Sequence, residues 1–111
     1  MISVSWEQKG KRDKAHSEKT ARFLIESRMA DAAAGNADAL YDLGIAYSTG
    51  TNGVELDLIE AHKWFNLAAL NGSEEGMMCR AEISYDMTAR EIAEAQREAR
   101  AWLRSTELRA A

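Results

Sequence analysis

The sequence predicts an all-α fold, a short α/α superhelix of antiparallel helix pairs with about five helices. Three observations predict it. The 111 residues include no proline, and the good helix formers Ala, Glu, Leu and Arg are prominent. Glycines and short polar residues punctuate the chain at helix-length intervals. The frame Glu-Ala-x-x-Trp followed by a large apolar residue occurs twice, as Glu60 to Phe65 and again 38 positions later as Glu98 to Leu103. A chain this long forms one domain, and it buries roughly two-thirds of its unfolded surface, enough for one modest core.

Residues 1–12 are polar apart from Met1, Ile2, Val4 and Trp6 and show no periodicity, so they read as a flexible basic lead-in. Residues 13–34 are helix formers throughout and supply an N-terminal packing helix, with Phe23, Leu24, Arg28 and Ala32 expected on its inner face. Gly35 ends that helix in a left-handed turn. Asn36 caps the next one, whose Ala39, Leu40, Leu43, Gly44 and Tyr47 follow the i, i+3, i+4, i+7 spacing of a buried stripe. The run Ser48 to Gly53 is a loop. Asp57 and Glu60 form a capping box, opening a helix that carries Leu58, Ala61, Phe65 and Ala68 inward and stops at Gly72. Ser73 caps a further helix through Met87. Thr88 and Glu91 make a second box, and Ile92, Ala95, Ala99 and Trp102 form the inner row of the last helix.

Gly35 recurs as Gly72 after 37 residues, and Ala61 and Trp64 recur as Ala99 and Trp102 after 38. A period in the high thirties, spanning two helices and a glycine turn, marks a helical solenoid whose units bury their apolar faces on one another. Each tryptophan is expected to close one helix pair against its neighbour.

The order Gly35-x-x-x-Ala39-x-x-x-Leu43-Gly44-x-x-Tyr47-x-x-Gly50, then Gly53-Val54-x-x-Asp57-x-x-x-Ala61-x-x-Trp64-Phe65-x-x-Ala68-Ala69-x-x-Gly72, resembles one full Sel1-like repeat. That repeat is a relative of the tetratricopeptide repeat. Residues 35–72 carry the resemblance, and 73–111 resemble a degenerate second copy ending in a C-terminal capping helix. In the second copy Gly76 stands where Ala is expected, and Arg80 and Ser84 stand where Leu and Tyr are usual. Its first helix can face two ways. An offset of 37 turns Glu75, Met78, Cys79, Glu82 and Tyr85 outward, whereas an offset of 38 turns Met78, Ala81 and Tyr85 inward. The resemblance implies a non-catalytic adaptor that assembles other proteins, often in bacterial signalling or membrane-associated complexes.

The residues agree with a non-catalytic reading. His16, His62 and Cys79 are the only His and Cys, each alone in its segment, without the paired spacings of a metal site. They read as an exposed histidine and a half-buried thiol. No nucleophile motif and no glycine-rich phosphate loop is present, so neither catalytic residues nor a cofactor is expected. One cysteine, no signal-peptide pattern and no apolar run long enough to span a membrane point to a cytoplasmic protein.

Charge is unevenly distributed. Residues 1–22 carry a net +3, residues 23–96 a net −9 and residues 97–111 a net +2. An acidic middle disfavours nucleic acid and suits a basic partner. In the resembled fold the first helix of each pair lines a concave surface. The off-core positions there are Asp38, Tyr41, Asp42, Ile45 and Ser48, joined by Glu75, Met78, Glu82 and Tyr85 beside Cys79. They predict a shallow acidic groove for a peptide or partner protein with Lys or Arg beside an apolar anchor. Two alternatives stand beside it. In one, the chain associates with itself, the last helix pairing with its own copy or the basic lead-in lying across the groove. In the other, the arginine-rich last helix binds nucleic acid.

Overall fold

Among the described residues the chain forms five helices and no strand: α1 (Trp6–Ala33), α2 (Ala37–Thr49), α3 (Leu58–Leu70), α4 (Glu74–Ser84) and α5 (Ala89–Ala110). This computed structural model describes the backbone over residues 6–110 and the side chains over residues 19–107. The helix ends follow from the capping residues. The Asn36 side chain accepts from the Ala39 amide at 3.1 Å and Ser73 Oγ accepts from the Gly76 amide at 2.9 Å. Thr88 and Glu91 make both bonds of the box, at 2.8 and 3.1 Å. Gly35 and Gly72 take φ of +84° and +95°, turns that a Cβ would strain.

The other expected box is only half made. Asp57 Oδ1 accepts from the Ile59 and Glu60 amides, but Glu60 does not reach back. The Asp57 amide instead donates to Tyr47 O at 2.9 Å, tying the loop to α2. Glu60 is thereby released to accept from Trp64 Nε1 at 3.0 Å and from Lys63 Nζ at 3.1 Å. A carboxylate expected to finish a helix end orients the central indole.

α1 differs from expectation in extent and facing. It is helical from Trp6, with no proline to delay it, so the backbone of residues 6–12 is not a lead-in outside the helix. Residues 1–5 and the side chains of Lys9, Lys11, Arg12 and Lys14 lie outside the described residues. The inner row is Ile25, Met29 and Ala32, whereas Phe23 and Leu24 are 68% and 44% exposed. Both rows have helical spacing. The one that packs offers a branched side chain and a small one to α2, and puts Arg28 at the seam edge, 3.2 Å from Asp42.

α3 is the hub, packed against α2, α4 and α5. Phe65 lies over Gly44, where a Cβ would fall deep inside the ring's van der Waals contact. Ala61, Ala68, Ala95 and Ala99 are all at most 1% exposed and let the backbones close up. The Trp64 ring, 1% exposed, meets Trp102 edge-on with centroids 4.8 Å apart and planes at 77°. The two echoed tryptophans therefore close on each other, across α3 and α5.

α4 and α5 approach one another little, and each lies on α3 instead. The second hairpin is not shut on itself as the first is. Arg80, in place of a leucine, donates to Asn66 Oδ1 of α3 at 2.6 Å, and Ser84 donates back to the Arg80 carbonyl at 2.6 Å, so neither fills an apolar seam. α4 ends at Ser84, and turns over Tyr85–Met87 replace the expected helical continuation. The offset of 37 prevails at most positions: Gly76 is buried, Arg80 and Ile83 are half-buried, and Met78, Ala81 and Tyr85 are exposed, but Cys79, which that offset turns outward, is half-buried beside Tyr41. A Cβ on Gly76 would lie 2.9 Å from that of Ala68, which explains glycine at this position.

Two stability predictions follow from α3. Trp64→Ala should cost about 3–5 kcal/mol in denaturant unfolding, the range for an emptied aromatic site. Gly44→Ala should cost about 1–3 kcal/mol through overpacking against Phe65, with far-UV circular dichroism of the folded state unchanged.

Candidate functional site

Glu75, Met78 and Glu82 fall at i, i+3 and i+7 on one side of α4, and Tyr85, at its C-terminal cap, continues that row. All four are exposed, Met78 at 68% and Tyr85 at 90%. On α2, Asp38 is exposed while Tyr41, Asp42, Ile45 and Ser48 are half-buried. The two rows meet at Tyr41. Its ring sits 5.8 Å from that of Phe65. Burial first, then Cys79, Glu75 and Asp42, push its hydroxyl pKa up. Tyr41 is thus part of the α2–α3–α4 seam and not the projecting anchor that the sequence suggested. Ser48 Oγ is turned back onto Ile45 O at 3.1 Å.

α1 adds a third row that sequence reasoning missed. Leu24, Ile25 and Arg28 join Asp42, Ile45 and Asn52 around a furrow of about 170 Å³. Ile25 and Asn52 also line a larger cleft of about 510 Å³, completed by Arg22, Glu26, Gly53 and Val54. The signal was present as the alternative row Ile25–Met29–Ala32, which turns Leu24 and Arg28 outward. Arg28 Nε also answers Asp42 at 3.2 Å, so this carboxylate already has a cation beside it. The acidic character of the face rests on Asp38, Glu75 and Glu82, and its apolar character on Leu24, Ile45, Met78 and Tyr85.

Two polar groups lie inside the packing. His62 is 3% exposed, not the exposed histidine expected, because α3 turns it towards α4. Its Nδ1 is buried without a hydrogen-bond partner, and burial, then the charge of Arg80, lowers its pKa. Glu98 Oε2 is likewise buried and unpartnered. Burial, then Glu60, raises the Glu98 pKa, with Lys63 opposing and Glu94 and Asp57 adding to the rise. The side chain of His16 lies outside the described residues. Among the described residues no group of three or more His, Cys, Asp and Glu could hold a metal ion.

Paired helices repeating about a glycine turn, with an outward row on α2 and α4, define a helical-repeat protein. Residues 37–73 match the Sel1 repeat family, so the chain carries a Sel1 repeat over α2 and α3. Such repeats are protein–protein interaction modules. No curated protein and no solved structure matches the chain. Among the described residues no helix is long and apolar enough to cross a membrane.

The two buried groups predict opposite pH responses. The folded chain binds the His62 proton less readily than the unfolded chain, so stability falls as pH drops below about 6.5 and the loss is complete beneath the folded value. His62→Leu should flatten that slope in melts run across the window. The folded chain holds the Glu98 proton more tightly than the unfolded one, so its contribution falls as pH rises from about 4.5 through the folded value. Glu98→Gln should raise the melting temperature at pH 7 and give no gain in acid below the ordinary carboxylate range.

Proposed function

We propose that this chain is a non-catalytic adaptor whose binding surface is the adjoining outer faces of α2 and α4, edged by α1. Its partner is a peptide or protein segment with Lys or Arg beside an apolar side chain. The observation that carries this reading is the α4 row, where exposed Glu75 and Glu82 alternate with exposed Met78 and Tyr85. Carboxylates select the cation, the thioether adapts to an apolar neighbour, and the phenol ring offers a flat face to either. The furrow bounded by Leu24, Asp42 and Ile45 extends the same surface towards α1.

A helix-capable peptide alternating Arg and Leu is the probe, with a version in which Glu replaces Arg as the control. The native chain should bind the basic peptide and not the acidic one. Glu75→Lys with Glu82→Lys should weaken that binding at least ~10-fold, since two close charge contacts become repulsive. Both substitutions are on exposed positions and should leave the melting temperature nearly unchanged. Equal binding by the native and doubly substituted chains would remove this face from consideration.

A further inference from the structure

We propose that the cationic segment taken up by this face belongs to a second copy of the chain and is the outer side of α5. The inference rests on the α4 row being the binding surface. α5 packs on α3 through Ile92, Ala95, Ala99 and Trp102, and its opposite side carries Arg90, Arg97 and Arg104 at intervals of seven, with Arg100 one turn before the last. All four arginines are exposed. Seven residues of helix are two turns, a rise of about 10.5 Å. Glu75 and Glu82 repeat at the same interval on α4. Two such helices laid side by side bring both glutamates opposite two of these three arginines at once.

Shape follows charge. Leu103 is the apolar member of a depression of about 290 Å³ on α5, bounded by Arg100, Arg104 and Glu107. Met78, between the two glutamates and 68% exposed, is the unbranched side chain that such a depression accommodates. Tyr85, 90% exposed at the end of the row, presents its ring to a guanidinium. Within one chain these groups do not meet: the described ion pairs include none from α4 to α5, and Arg97 reaches only Glu94 of its own helix.

The contact joins two different surfaces, so a pair of copies keeps one of each unused, and association continues until the copies close into a ring. Its pairs are solvent-exposed, which makes it weak and sensitive to salt. In sedimentation at about 20 mM salt the weight-average mass of the native chain should rise with concentration, and it should return to the monomer near 0.5 M salt, where the screening length is about 4 Å. Arg97→Gln with Arg104→Gln, and separately Glu75→Gln with Glu82→Gln, should each weaken association at least ~10-fold. Mixed in equal amounts, the two variants should form a one-to-one dimer that grows no further, because one lacks the donor row and the other the acceptor row.

A native chain that stays monomeric at every concentration overturns the proposal, and so do variants that associate as the native chain does. A monomeric chain that still binds the Arg–Leu peptide leaves the peptide-binding surface standing and removes only the self-contact. Low-salt retention of duplex DNA by the native chain, lost in the arginine variant and without self-association, would assign the arginine row to phosphates and likewise overturn it.

Discussion

The close approach of α3 to three neighbours is the constraint on which the rest depends. Small residues make it possible: Gly44 under Phe65, Ala68 against Gly76, and Ala61, which is fully buried. Large ones then fill what remains, and full burial of Trp64 and Phe65 contributes about 1.5–3 kcal/mol or more for each ring. Trp64 holds a further position because its indole nitrogen is tied to Glu60 while its ring meets Trp102. Local structure at the start of α3 is therefore linked directly to the placement of α5. The cap that Asp57 alone supplies leaves Glu60 available for that link.

The second copy departs from the first in a way that shapes the surface. α4 buries only Gly76 completely and places Arg80 and Ser84 where apolar residues would seal the hairpin. Those polar groups are satisfied by Asn66 and by a carbonyl of α4 itself, so they cost little, but they bring α4 no apolar contact with α5. α4 is held mainly through one face by α3, and the outward row of Glu75, Met78 and Glu82, continued by Tyr85, is built on its other side. His62 Nδ1 and Glu98 Oε2 show the same priority on the α3 side: packing has been kept at the expense of two unpartnered polar atoms.

Charge is organised at two levels. Along the chain it is acidic in the middle and basic at the ends. In space, Arg28 crosses from α1 to Asp42 and neutralises one end of the acidic face, which leaves α4 as its more acidic part. On α5, Glu98 lies against α3, whereas the arginines are exposed, Arg97 beside Glu94 and Arg100 and Arg104 near Glu107. The net charge of the middle segment overstated the acidity at α2 and understated the contrast between α4 and α5.

Much of the fold was legible in the sequence because it depends on neighbours three or four residues apart. Asn36, Ser73 and Thr88 start helices through bonds to amides within three residues, and Gly35 and Gly72 end them by backbone freedom, so no tertiary knowledge was needed. The inner rows of α2 and α5 were legible for a related reason: each of these helices has one clear apolar stripe, whereas α3, covered by three neighbours, buries His62 and Leu67 as well. α1 has two, and spacing cannot choose between Phe23–Leu24 and Ile25–Met29; contact with α2 chose. Tertiary packing likewise selected the facing of α4, turned His62 inward, paired Arg28 with Asp42 and brought Trp64 to Trp102. Each of these depends on groups from different helices meeting at a distance set by side-chain volume, and a linear spacing carries no information about which of two permitted faces a neighbour will cover.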